Sequence, residues 1–130
     1  MVTIDTNVVV RFLVNDDPAQ ARRARALLER EEVFISPTVL LEAQWVLRGA
    51  HGFDVPEILG FLRALLGLPG VSTQAPAQVA LALEAYGAGL DFADALHLLL
   101  NHEAQPFFTF DKPLRQRASR VVPSLRVASP

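Results

Sequence analysis

The sequence predicts an α/β fold, a three-layer α/β/α sandwich around a central, mostly parallel sheet. Three observations lead there. Short runs of β-branched and aromatic residues alternate with longer helical patterns, and strands separated by helices pair in parallel through crossovers. The chain has 130 residues, of which 51% are hydrophobic, enough for one core. No stretch reads as a linker, so residues 1–130 are expected to form a single domain.

The elements follow in order. Val2 to Ile4 reads as a short buried strand, and Val8 to Val14 as a short helix for which Thr6 and Asn7 offer a cap. Asp16-Asp17-Pro18 starts a second helix that runs to about Arg30, with acids near the positive end of its dipole. Val33 to Ile35 is the second strand. Ser36-Pro37 opens a helix to about Arg48, stopped by Gly49. Val55 to Leu66 is the fourth helix, and Val71-Ser72 a brief third strand. Helices over Ala75 to Tyr86 and Asp91 to about His102 come next. Phe107 to Phe110 is the fourth strand, Pro113 to about Ala118 a short helix, and Leu125 to Val127 an edge strand.

Composition narrows the function. The chain has no cysteine, which excludes disulfides, thiol chemistry and cysteine-ligated zinc. No apolar run approaches the roughly 20 residues of a membrane helix, and the N-terminus lacks the charged and apolar regions of a signal peptide. A cytoplasmic location is the expectation. The formal net charge is -2, so the chain as a whole is not a basic nucleic-acid binder. The basic residues are nevertheless grouped. Arg22, Arg23, Arg25 and Arg30 form one group, and Lys112, Arg115, Arg117, Arg120 and Arg126 follow the last acid, Asp111. Such patches suit phosphates, for which Arg offers bidentate contacts, and they equally suit a solvated helix face.

The chemistry lies in the carboxylates. Asp5 stands where the first strand ends, and ligands in open α/β sheets bind at that end of the strands. It also qualifies as an ordinary helix cap. Glu42 shares a helix face with Val39, Ala43 and Val46, so it interrupts an apolar stripe. A charge there needs an ion-pair partner, or the face is rotated toward water. Asp91 and Asp94 lie three apart at the start of the sixth helix, where they also match a capping box. Asp111 ends the fourth strand as Asp5 ends the first, and doubles as a turn residue before Pro113. If the acids share one crevice, their repulsion is large: two charges about 4 Å apart cost about 4 kcal/mol at an effective dielectric near 20. Either pKa values rise or a cation is held, and all-oxygen ligands suit Mg²⁺ or Mn²⁺.

Ile4-Asp5-Thr6-Asn7-Val8, Glu42, Asp94-Ala95-Leu96-His97 and Thr109-Phe110-Asp111 together resemble the PIN-domain nucleases. Length and spacing are most similar to the VapC-type toxins of bacterial toxin-antitoxin pairs. The resemblance implies a sheet of order 3-2-1-4-5, Mg²⁺- or Mn²⁺-dependent RNA cleavage, and inhibition by a small antitoxin protein. It implies Asp5, Glu42 and Asp94 as metal ligands and catalytic residues, with Asp111 as a more variable fourth acid. Asn7 and Thr109 match supporting polar positions. Asp91 is an extra acid without an assigned role. His97 fits the family wording and reads as a packing residue on an apolar helix.

Two other classes share part of this pattern. A haloacid-dehalogenase-type phosphatase carries a second Asp two residues after the first, where Asn7 stands. A catalytically silent module that binds RNA or protein would have no need of the full acid set. A homodimer is also expected, because Leu59, Phe61, Leu62, Leu65, Leu66 and Leu68 crowd one helix with more apolar surface than a small core covers.

Overall fold

The computed structural model describes residues 1–101 and 105–130. Among them, five two-residue strands alternate with seven helices, the α/β pattern expected. By its contacts the chain divides into two compact units, Met1–Gln74 and Ala75–Pro130.

The first unit holds β1 (Val2–Thr3), α1 (Thr6–Leu13), α2 (Pro18–Arg30), β2 (Val33–Phe34), α3 (Pro37–Gly49), α4 (Val55–Leu66) and β3 (Val71–Ser72). β2 is the central strand and pairs in parallel with both neighbours, Val2 opposite Val33 and Val33 opposite Val71. Val33 and Ile35 are fully buried there, as befits a central strand covered on both faces. Each helix of this unit starts on a side-chain cap that satisfies a free amide: Asp5, Asp17, Ser36 and Asp54 in turn. Asp54 and Glu57 complete a reciprocal capping box. α1 packs against both α2 and α3.

The second unit holds α5 (Pro76–Gly87), α6 (Phe92–Leu99), β4 (Phe107–Phe108), α7 (Lys112–Val121) and β5 (Val127–Ala128). β4 and β5 run parallel, with Phe107 opposite Val127. α5 packs against α6 through an apolar seam that includes a tilted Tyr86–Phe92 ring pair. The turn into α6 passes through Gly89 at φ +112, a conformation that suits glycine.

The expected strand order is present as two parts, 3-2-1 and 4-5. A ladder from first to fourth strand, which the full order needs, is not among the described pairings. The strands are shorter than the sequence suggests because the helices claim their ends. Asp5, not Thr6 or Asn7, caps α1, so β1 stops at Thr3. Asp111 caps α7, so that helix begins at Lys112 and β4 stops at Phe108. α6 ends at Leu99 with Leu100 as its cap, and His102, the expected end, lies outside the described residues.

The apolar excess on α4 is largely absorbed by its own unit. Ile58, Leu59, Leu62 and Leu65 are buried, Phe61, Leu66 and Leu68 are half-buried, and Phe61 meets Phe53 edge to face at 4.9 Å. None of the six residues that suggested a dimer is among the exposed large hydrophobic side chains. Those are Met1, Trp45, Leu81, Phe108 and Phe110.

Candidate active site

In the first unit the site is built on the N-terminus of α1. Asp5 is exposed, and its Oδ1 accepts the Val8 N–H at 3.1 Å, which leaves Oδ2 outside the cap. A capping carboxylate has two oxygens, so the capping and ligand readings of Asp5 do not exclude each other. Thr6 is buried, and its hydroxyl donates a hydrogen bond to Glu42 Oε1. Glu42 on α3 is thereby held one residue along the chain from Asp5.

Glu42 does not interrupt a buried stripe: of the readings the sequence left open, the face rotated toward water is the one observed. The buried face of α3 is Leu40, Ala43, Gln44 and Leu47, and Glu42 is exposed on the opposite side with Thr38 and Trp45. Apolar doublets flank Glu42 at Leu40-Leu41 and Val46-Leu47, so periodicity alone allows either register. Thr6 is the residue that sequence reasoning weighed only as a cap. The available signal was a hydroxyl placed one residue after Asp5 in an otherwise apolar helix.

Asp5 and Asn7 also line one end of a groove between α1 and α2 of about 500 Å³. Arg11, Arg23 and Arg30 line the same groove. Arg11 is held by Asp16 at 2.9 Å and by Gln20 at 2.7 Å.

In the second unit the site is an acid cluster at two helix starts. Asp91 caps α6, with Oδ2 accepting the Asp94 N–H at 3.4 Å. Asp111 caps α7, with Oδ1 accepting the Leu114 N–H at 3.0 Å. Thr109 braces that turn: its hydroxyl accepts the Asp111 N–H at 3.0 Å and its carbonyl accepts Arg115 Nη1 at 2.8 Å. Arg115 is half-buried and structural, whereas Lys112, Arg117, Arg120 and Arg126 are exposed.

Partial burial, then the nearby charges of Asp91 and Asp111, raise the Asp94 carboxyl above its ordinary range. His97 is the group that opposes them. His97 is exposed rather than packed. Phe92, Ala95, Leu96, Leu98 and Leu99 occupy the buried arc of α6, and Asp94 and His97 share the remainder. On so short a helix an apolar composition does not bury every side chain.

A comparison with protein families finds one that fits: the PIN domain model matches residues 2–119. The chain belongs to the PIN-domain family. The match runs through both compact units and supports a nuclease fold of the kind that generally works with divalent metal. It also settles the fold-level choice against the phosphatase reading. A comparison with curated proteins finds no match. Among the described residues, no group of three His, Cys, Asp or Glu side chains has an arrangement that would hold a metal ion. The donor chemistry nevertheless fits a hard cation. The acids offer oxygen ligands only, and the charges of Asp91 and Asp111 act on Asp94 with His97 opposing them. No helix among the described residues is long and apolar enough to cross a membrane.

Proposed function

We propose that this PIN domain is a metal-dependent endoribonuclease that hydrolyses RNA phosphodiester bonds, and that it is a VapC-like toxin held in check by a cognate antitoxin. The observation that carries the reading is Asp94 with Asp91 and Asp111 near it: partial burial first, and then the charges of the other two aspartates, push its carboxyl up. A protein that keeps like charges together at that cost to itself has a use for a cation. Asp5, Glu42, Asp94 and Asp111 are the residues assigned to hold Mg²⁺ or Mn²⁺. A bound ion of this kind supplies a water of lowered pKa and stabilises the charge on the leaving oxygen.

The chain's own residues do the positioning. Thr6 fixes Glu42 Oε1 and so sets the direction of the other carboxylate oxygen. Thr109 fixes the turn that carries Asp111. Asp91 holds the first turn of α6 and, by its charge, keeps Asp94 hungry for a positive partner. Asn7 stands exposed beside Asp5 as a polar contact for substrate.

The antitoxin and the homodimer follow from the resemblance to VapC-type toxins. The apolar surface free for such contacts is Trp45, with Leu81, Phe108 and Phe110, rather than α4. The test of the activity is cleavage of single-stranded RNA in millimolar Mn²⁺, with EDTA and an Asp94→Asn variant as controls. Cleavage that needs both the metal and Asp94 is the expected result. A second reading, a silent RNA- or protein-binding module, draws on the absence of a three-acid metal arrangement among the described residues. RNA binding without cleavage in Mn²⁺ would select it.

A further inference from the structure

We propose that the groove between α1 and α2 seats the phosphates of the RNA strand on Arg23 and Arg30 and leads that strand to Asp5. The proposal rests on the ribonuclease reading and adds where the substrate backbone lies.

The groove is built from two helix faces. Along α2, Gln20, Arg23, Leu27 and Arg30 recur at the three- and four-residue spacing that puts side chains on one face. Arg23 and Arg30 are seven residues apart, so at about 1.5 Å per residue they stand about 10.5 Å apart along the axis. Along α1, Asp5, Asn7 and Arg11 form the facing wall. Three guanidinium groups thus meet one carboxylate in a chain whose formal net charge is -2. The concentration of positive charge is local, which is how phosphate-binding surfaces differ from a charged surface in general.

Arg23 and Arg30 are not committed elsewhere among the described residues. Arg23 makes no ion pair among the described residues, and Arg30 has only a 4.0 Å approach to Glu31 across an exposed surface. Arg11 is different. Asp16 takes its Nη1 and Gln20 its Nε, so its fork is fixed in place and its charge is partly answered. Arg11 therefore shapes the wall, and Arg23 and Arg30 carry the free charge. Leu27 and Ala24 give the groove an apolar floor between them. Arg22 and Arg25, on the same helix, do not line the groove and are solvated.

The test is binding of a mixed-sequence single-stranded RNA in EDTA, where metal-dependent cleavage is off, followed across salt concentrations. The proteins are the parent, Arg23→Ala/Arg30→Ala, Arg23→Lys/Arg30→Lys, and Arg48→Ala/Arg63→Ala as a charge-matched control away from the groove. Loss of two phosphate contacts should flatten the slope of log K against log salt by about 1.4, at about 0.7 per contact on a single strand. The lysine pair should restore most of that slope, and Arg48→Ala/Arg63→Ala should leave affinity and slope near the parent's. Cleavage in Mn²⁺ is measured in parallel. If the alanine pair binds with the parent's affinity and slope, the groove is not the seat, even where the parent cleaves RNA and the nuclease reading survives. If the alanine pair loses binding and the parent does not cleave, the groove stands and the nuclease reading falls. No binding by the parent, or displacement of RNA by a short polyglutamate peptide that binds more tightly, overturns the proposal and in the latter case makes the groove an acidic-peptide site.

Discussion

The two acid sites differ in how their charge is answered. On α1, Asp5 accepts a helix amide, Glu42 accepts a buried hydroxyl, and the groove beside them carries three arginines. On α6 and α7, partial burial and then the charges of Asp91 and Asp111 raise the Asp94 carboxyl, and His97 opposes them. The first site is arranged to hold a carboxylate still. The second leaves Asp94 partly buried beside like charges. The proposed nuclease activity draws on both properties, a fixed geometry and a demand for positive charge.

The largest effects should come from removing the charge of the acids assigned to hold the metal. Asp5→Asn and Glu42→Gln are each expected to lower RNA cleavage by several orders of magnitude while the fold, followed by circular dichroism, is retained. If either variant cleaves like the parent, the first site is structural and the contrast with the second collapses.

A smaller loss should follow from loosening Glu42 without touching its charge. Thr6→Val keeps the buried volume and removes the hydroxyl donor, and such orienting contacts typically contribute 10- to 100-fold. Cleavage should fall by about that factor, and Thr6→Ser should recover most of it. Equal activity in Thr6→Val would show that Glu42 needs no positioning.

Asp91 sharpens the comparison from the other side. Its cap on α6 contributes about 1 kcal/mol by the usual scale of such caps, but its charge also presses on Asp94. Asp91→Ala should therefore cost less than a cap alone, with most cleavage retained. Thermal melting reads the first quantity and RNA cleavage the second.

Much of this contrast was legible in the sequence. Helix starts such as Asp17-Pro18 and Ser36-Pro37 carry their own chemistry, and the helices they begin appear where expected. The acids were legible too, as residue types in a recurring order. What periodicity could not supply was the rotation of α3, because apolar doublets flank Glu42 and make two faces equally apolar. Nor could it supply the Thr6–Glu42 bond, which joins positions 36 residues apart. His97 read as a packing residue because its neighbours are apolar, yet a helix of 8 residues buries only part of its surface. The strand ends were overextended for a related reason: an Asp after a β-branched run belongs equally to the strand and to the helix it caps.

The smallest effect is thermodynamic. A carboxyl raised in the folded state binds its proton more tightly there, so its ionised form costs stability above its ordinary value of 3.8. Asp94→Asn removes that cost. In EDTA its melting temperature should exceed the parent's at pH 7, by no more than a few degrees because solvent screens so exposed a group, and the gain should fade as pH falls toward 3.8.

The most direct measurement of the demand for a cation is thermal melting of the parent and Asp94→Asn at pH 7, in EDTA and in millimolar Mn²⁺. An ion that binds only the folded protein raises its melting temperature. The parent should melt higher in Mn²⁺ than in EDTA, and Asp94→Asn should lose most of that rise while melting slightly above the parent in EDTA. Superimposable parent curves in EDTA and Mn²⁺ would contradict a metal held by these acids.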